Sequence, residues 1–361
     1  MAGIASINPG GVFALFSLLP AAASARGLAV AAAKSRTVSL PTPRADRTLE
    51  IASREAQLKA KNLSRLTGRL DEVVALAASA KSKLEELLPI LSDMRKAVAL
   101  SQNAAATEDE KRTQANIFDQ LLGDLNSKVR SAGTVGNNLI GNSIRDIFAA
   151  DTVTFQTRPD SPIAQSITGV FSGSDFVITD LSGNEFVPDI FGALVDQLPI
   201  DNSVSGTLLL DDDVVTLDNS TGAVTITRAG DGSPTLEGTL TRKGLGVLFS
   251  PFYGHFLDDA ELDEAITDID AAVKTLRNNI AITDSNLSLV TAFRNQNDAQ
   301  IKENERIVGK VQAEIAIQQI KRDFQLQQQE LLFSSALNST LSFNDQGLLT
   351  VAINNLVDIQ V

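Results

Sequence analysis

ITDIDAAVKTLRNNIAITDSNLSLV, residues 266–290, is the stretch that decides how this chain folds. Ile266, Ile269, Val273, Leu276, Ile280, Thr283, Leu287 and Val290 recur in it at alternating steps of three and four. That spacing places them on one helical seam, as in a coiled coil. The same steps continue outward through Arg294, Asn297, Ile301, Asn304, Val308, Val311 and Ile315. A second ladder lies far upstream: Leu63, Leu66, Leu70, Val73, Ala77, Ala80, Leu84, Leu87, Leu91, Met94 and Val98. Each seam is too narrow and too long for a compact core. The two therefore pair with each other, with a third helix, or with neighbouring copies. The fold expected is mainly α, a long antiparallel coiled-coil rod formed by the N- and C-terminal regions, with a small β-rich domain inserted between them.

Composition agrees with helix packing by aliphatic and small residues. There is no Cys or Trp, one Tyr and one His, and sixteen Phe supply nearly all the aromatic volume. Lack of Cys excludes disulfides and thiolate metal sites without fixing the compartment. The formal charge of −13 argues against nucleic acid as a partner, since such binding depends on neutralising phosphates. Charge is unevenly spread. Residues 1–65 hold nine Lys/Arg and three Asp/Glu, a balance of +6 that leaves −19 for the remainder. Two readings of this basic arm stand, a solvated tail or a contact with an acidic neighbour, membrane or secretion apparatus.

GVFALFSLLPAAASA, residues 11–25, has an apolar run and a small-x-small ending at Ala23 and Ala25, as a signal peptide has. No Lys or Arg precedes it, and Pro20 interrupts the run. The alternative is a terminal segment that packs on assembly. It is too short to span a bilayer, and no integral membrane segment is expected elsewhere.

The chain divides in the sequence as follows. Residues 1–45 are a low-complexity or terminal assembly segment, 46–150 the N-terminal rod helices, 151–250 the β-rich insertion, 251–337 the C-terminal rod helix and 338–361 a tail. The first helix opens near Asp46 and reaches about Gln102, with Pro89 inside it as an expected kink or local break. Thr107-Glu108-Asp109-Glu110 is a capping-box pattern that opens a second helix. That helix, with Phe118, Leu121, Leu125 and Val129 on one face, folds back on the first, and Gly133, Gly136 and Gly141 mark its exit. Beyond Asp151 the period changes to two: Val153/Phe155, Phe176/Ile178 and Val224/Ile226 alternate with polar residues. Turn clusters at Ser172–Gly173–Ser174, Ser182–Gly183–Asn184, Asn219–Ser220–Thr221–Gly222 and Ala229–Gly230–Asp231–Gly232 separate the strands. A short helix is expected over 188–198. The last long helix opens at Asp258 or Asp259 and ends near Leu337, with a break near Gly309 or later. A terminal hairpin is expected around Asn344-Asp345-Gln346-Gly347.

Catalytic chemistry is sparse, and no enzyme is expected; no catalytic, cofactor-binding or metal residue and no cofactor is assigned. Asp211-Asp212-Asp213, followed by Asp218, is the densest carboxylate cluster, but EF-hand spacing is missing and such acids keep a strand edge soluble. His255 stands alone between Gly254 and Phe256 and reads as a junction residue. Gly244-Leu245-Gly246 lacks a third glycine and reads as a turn. The polar rungs Arg294, Asn297 and Asn304 are read as fixing register, against the alternative that the seam opens there to solvent or another helix.

AAATEDEKRTQANIFDQLLGDLNSKVRSAGTVGNNLIG, residues 104–141, resembles the linker, second helix and asparagine–glycine turn of bacterial flagellins. Residues 244–248 with 265–307 resemble the flagellin segment that re-enters the rod. The resemblance covers the rod region. Residues 1–60 carry neither an Asn-rich start nor an SSG-x-R-I-N signature, and residues 339–361 lack the Ala/Gln-rich helix of that family. The resemblance implies a structural subunit of an extracellular bacterial filament. It would be secreted to the cell surface or flagellum and would self-assemble through its rod with the β insertion outward. Its partners would be its own copies, with an export chaperone or hook-associated proteins. The other reading is a secreted adhesin whose rod is a stalk for a ligand-binding β domain.

Overall fold

The computed structural model describes residues 44–133, 136–144, 147–159, 163–189, 194–198, 207–209, 214–228, 232 and 234–357. The segment 1–43, Asp211–Asp213 and the turn at Ala229–Gly232, apart from Gly232, lie outside them. The chain is two compact units: Gln57–Arg306, and Met1–Ala56 together with Ile307–Val361.

Three helices frame the larger unit. Helix α1 spans Arg44–Ser101, α2 spans Glu108–Arg130, and α3 spans Asp259–Val357. All eleven rungs of the upstream ladder, Leu63 to Val98, are buried. Four cross-links tie α1 and the residue that follows it to α3: Asp71 to Arg294, Lys81 to Asp284, Arg95 to Asp270 and Gln102 to Asp263. In every one of these pairs the two residue numbers have the same sum. One number rises as the other falls, step for step, so the helices run antiparallel in a single unbroken register. Lys128 of α2 pairs with Glu86 of α1 at 3.2 Å, so α2 does fold back along α1. Its opening is the expected capping box. The Thr107 hydroxyl accepts from the Glu110 N–H at 3.3 Å, and the Glu110 carboxylate accepts from the Thr107 N–H at 2.8 Å.

The α3 seam keeps the expected rungs Ile269, Leu276, Thr283, Val290 and Asn297 and differs from the sequence reading at the others. Its buried line within this unit is Leu262, Ala265, Ile269, Ala272, Leu276, Asn279, Thr283, Val290 and Asn297. Ile266, Val273, Ile280 and Leu287 are half-buried beside it. Small Ala265 and Ala272 let the backbones approach, and the branched side chains flank the contact instead of filling its centre.

Pro89 does not interrupt α1; its ring is exposed, so the missing N–H falls on the solvent side. Helix α3 is likewise continuous through Gly309, and it ends at Val357 where an end near Leu337 was expected. The hairpin expected around Asn344–Gly347 is therefore replaced by helix. The turn-forming residues there yield to the continuation of a long helix, since a single Gly in a helix interior costs only about 1 kcal/mol.

The insertion holds a two-stranded and a seven-stranded sheet. Strands β1 (Thr152–Gln156) and β2 (Ala164–Thr168) pair antiparallel. The larger sheet comprises β3 (Ser174–Asp180), β4 (Glu185–Pro188), β5 (Leu194–Gln197), β6 (Thr207–Leu209), β7 (Val214–Leu217), β8 (Ala223–Thr227) and β9 (Pro234–Gly244). Their order is β6-β5-β4-β3-β9-β8-β7, antiparallel throughout. The central pair β3/β9 brings the entry and exit of the sheet together, with Ser174 opposite Gly244. Phe176, Ile178, Val224 and Ile226 are buried as the alternation required. The short helix expected over 188–198 is instead the β4/β5 pairing, Phe186 opposite Gln197 and Pro188 opposite Val195. β-branched Val187 and Val195, both fully buried, favour the pleated arrangement.

Candidate functional site

Three places could carry function: the junction of sheet and helices, a basic cleft, and an exposed apolar helix face. The junction is the most densely bonded. Asp119 of α2 accepts from the Ser250 N–H at 2.7 Å and from its hydroxyl at 2.5 Å. Asn126 of α2 docks on Ser174 at the start of β3. Asn138, just past α2, donates to the Val129 carbonyl and accepts from the N–H groups of Ile140 and Gly141. Gly141 is required there, because a Cβ would lie 2.5 Å from Val129 Cγ1 and 2.8 Å from its carbonyl oxygen.

Below β9 a short 3-10 helix, Ser250–Phe256, leads into α3. The Tyr253 hydroxyl donates to Asp268 at 2.6 Å and accepts from the Leu248 N–H. Arg242 of β9 also meets Asp268, and reaches the Gly246 carbonyl and the Asn219 side chain. Burial, then the negative Asp268, push the phenol well above its ordinary range, so Tyr253 stays protonated and donating. Gly254, His255 and Phe256 all hold positive φ, at 55°, 53° and 67°. Each non-glycine residue in that region costs about 1–2 kcal/mol. Full burial of Phe256 is worth a comparable 1.5–3 kcal/mol or so, and its ring meets Phe118 edge-on at 5.1 Å. Phe176 and Phe252 make a similar contact at 4.9 Å. These parts tie the sheet to the helices, and the hydrogen bonds named here join one part of the fold to another.

Sequence-singled residues fall around this junction. His255 sits in the left-handed turn ahead of α3, the junction position expected. Gly244, the last residue of β9, and Gly246 just beyond it both take positive φ where the chain turns, as a turn reading required. Asp218 builds the β7/β8 turn, its carboxylate accepting from the Ser220 N–H and hydroxyl and from the Thr221 hydroxyl. These bonds hold its pKa down to about 2. Among the described residues no group of His, Cys, Asp or Glu has a metal-holding arrangement. Of the three polar rungs, only Asn297 is buried. Arg294 lies half-exposed beside the seam, bonded to Asp71 and Asp298. Asn304 donates back to the Gln300 carbonyl of its own helix. Arg294 therefore contributes to register from the flank of the seam, through Asp71, whereas Asn304 spends its amide on its own helix and the register role read for it does not hold.

Two open clefts share Asn62 and Pro159. One, of about 400 Å³, is lined by Lys59, Asn62, Leu63, Arg158, Pro159, Gln300 and Asn304. The other, of about 260 Å³, adds Arg65, Leu66, Arg69 and Gln156. Sequence reading saw the basic excess of residues 1–65 without locating it here. The signal was the run 57–69, four cations and no acid.

In the smaller unit, Ile317, Ile320, Phe324 and Leu331 of α3 are each more than half exposed. Their spacing of three, four and seven puts them along one helix face. No described helix is long and apolar enough to cross a membrane.

No family model and no curated protein matches the chain. Among solved structures, the chain is similar to a protein from Vibrio parahaemolyticus assigned as flagellar hook-associated, at 11% identity and TM-score 0.41, over 75% of this chain and 98% of that one. It is also similar to flagellar hook-associated protein-3 from Legionella pneumophila, at 12% identity and TM-score 0.36, covering 76% and 99%. The FliC protein of Burkholderia pseudomallei follows at 14% identity and TM-score 0.23, covering 65% and 99%. At these values the likenesses assign no family.

Proposed function

We propose that this chain is a structural subunit of an extracellular bacterial filament of the flagellar kind, assembling through its helices with the β insertion facing outward. The observation that carries the reading is the exposed apolar face of α3, where Ile317, Ile320, Phe324 and Leu331 stand in solvent. Contiguous apolar surface of this kind marks a protein or membrane contact. Its heptad spacing suits another helix. The sequence resemblance to the flagellin rod supports the same reading, as does the antiparallel α1/α3 pair. The site expected to act is an assembly surface, with copies of the chain as first partners and the cell surface or flagellum as its location. Electron microscopy of concentrated protein tests it. Filaments are expected, and they should survive removal of residues 151–249. Strictly monomeric protein at every salt concentration and pH would overturn the reading, and loss of ligand binding without loss of assembly would turn it towards an adhesin.

A further inference from the structure

Several cations of the larger unit, Lys81, Arg95, Lys128, Arg130, Arg242 and Arg294, are answered by carboxylates across the fold. Lys59, Arg65, Arg69 and Arg158 are exposed and form no ion pair with any described residue. They crowd the two clefts beside Asn62, Gln300 and Asn304, whose amides add donors for a carboxylate. An acidic protein of net charge −13 thus leaves four cations unanswered in one place.

The opposite surplus lies where α1 ends. Glu108, Asp109, Asp258, Asp259, Glu261 and Asp263 are all exposed. The Gln102–Asp263 and Lys111–Asp259 contacts bring their two stretches together. Along α1, from Arg69 to Ser101, the helical rise sets the two surpluses roughly 50 Å apart. Screening at physiological salt acts over about 8 Å, so neither can answer the other within one chain.

We propose that copies of this chain associate head to tail, the acidic end of one copy seated against Lys59, Arg65, Arg69 and Arg158 of the next. This rests on the reading of the chain as a self-assembling subunit and specifies how copies meet. A contact between two different patches repeats without closing on itself, which generates a chain of subunits. Carboxylates supply the acidic end and guanidinium groups most of the cleft, the pairing with the strongest charge-assisted hydrogen bonds.

The test is a charge swap read by sedimentation velocity at about 0.01 M and about 1 M salt. One variant carries Lys59→Glu, Arg65→Glu and Arg69→Glu; the other carries Glu108→Lys, Asp109→Lys and Asp259→Lys. All six side chains are exposed, and circular dichroism checks the fold. Wild-type protein should associate at low salt and dissociate at high salt. Each variant alone should associate about tenfold more weakly or worse, since like charges now face each other. An equimolar mixture should regain association, because each variant's end then fits the other's cleft. Wild-type assembly that neither variant weakens overturns this contact and leaves the filament reading standing. Loss in both variants without recovery in the mixture shows that the cleft takes some other anion and likewise overturns it. Wild-type protein that never associates overturns the filament reading as well.

Discussion

The side chain of Asn126 and the backbone of Ser174 hold each other by two hydrogen bonds. Asn126 Nδ2 donates to the Ser174 carbonyl at 2.7 Å, and the Ser174 N–H donates to Asn126 Oδ1 at 2.8 Å. Both residues are buried, so no water replaces the pair. Asn126→Ala strands two backbone groups of β3 and should cost roughly 2–4 kcal/mol. Asn126→Asp keeps the volume but loses the donor, and should also destabilise. Urea unfolding measures both; an alanine variant as stable as wild type would show that the dock contributes nothing.

Asn297 Nδ2 and Thr67 Oγ1 are buried without a hydrogen-bond partner. The α1/α3 register brings these two positions to the same level of the pair. An unpaired buried polar group costs about 1–3 kcal/mol. Asn297→Leu and Thr67→Val should therefore each raise the unfolding midpoint. If Asn297→Leu lowers it, the amide has a partner that only the assembled or hydrated protein provides.

Asp218 gives the acid limb of stability a definite sign. Its folded pKa of about 2 lies below its ordinary 3.8, first through the Ser220 hydroxyl, then that of Thr221. A depressed carboxyl adds stability above the unfolded value, and that share is lost as pH falls from about 4 towards 2. Carbon-detected NMR titration should find the Asp218 carboxyl still ionised at pH 3. Asp218→Asn should flatten the acid loss of stability in that window and leave the curve near neutrality unchanged in shape.

Pro89 occupies an exposed interior position of α1 and leaves the Glu85 carbonyl without its helical donor. Pro89→Ala should stabilise the protein by about 1–3 kcal/mol. Thermal unfolding would check it. A lower midpoint would mean that α1 needs the bend which proline sets.

The sequence carried the helices better than the surfaces that join them. Leu63 to Val98 was readable rung by rung because aliphatic residues repeat in one helix without interruption, and all eleven are buried. Alternate rungs of the α3 seam moved by one residue, since small Ala265 and Ala272 take the contact line while Ile266 and Val273 look more like core; Ile269, Leu276, Thr283 and Val290 stayed where the ladder put them. The 344–347 turn signal and the 188–198 helix failed for one reason: local propensity lost to the long helix in the first case and to strand pairing in the second. At the junction, Asn126 meets Ser174 48 positions away, and Asp119 meets Ser250 131 positions away. Polar residues of that kind announce no partner in a linear pattern. Asp268 was invisible as the shared acceptor of Tyr253 and Arg242 for the same reason.

The equal sums of the α1/α3 cross-links also constrain how such a chain tolerates changes in length. Remove one residue from α1 between Asp71 and Arg95 and every rung beyond it turns by about 100° and slips by about 1.5 Å. Lys81 could not then face Asp284 while Arg95 faced Asp270. A tolerated cut comes in whole heptads and must be matched by an equal cut in α3. The hairpin tips of the sheet answer to no such gauge: at Ser182–Gly183 or Ser220–Thr221 the chain can lengthen while its strands keep their pairing. Grafted peptides belong at those tips, and the two helices behave as one ruler read from both ends.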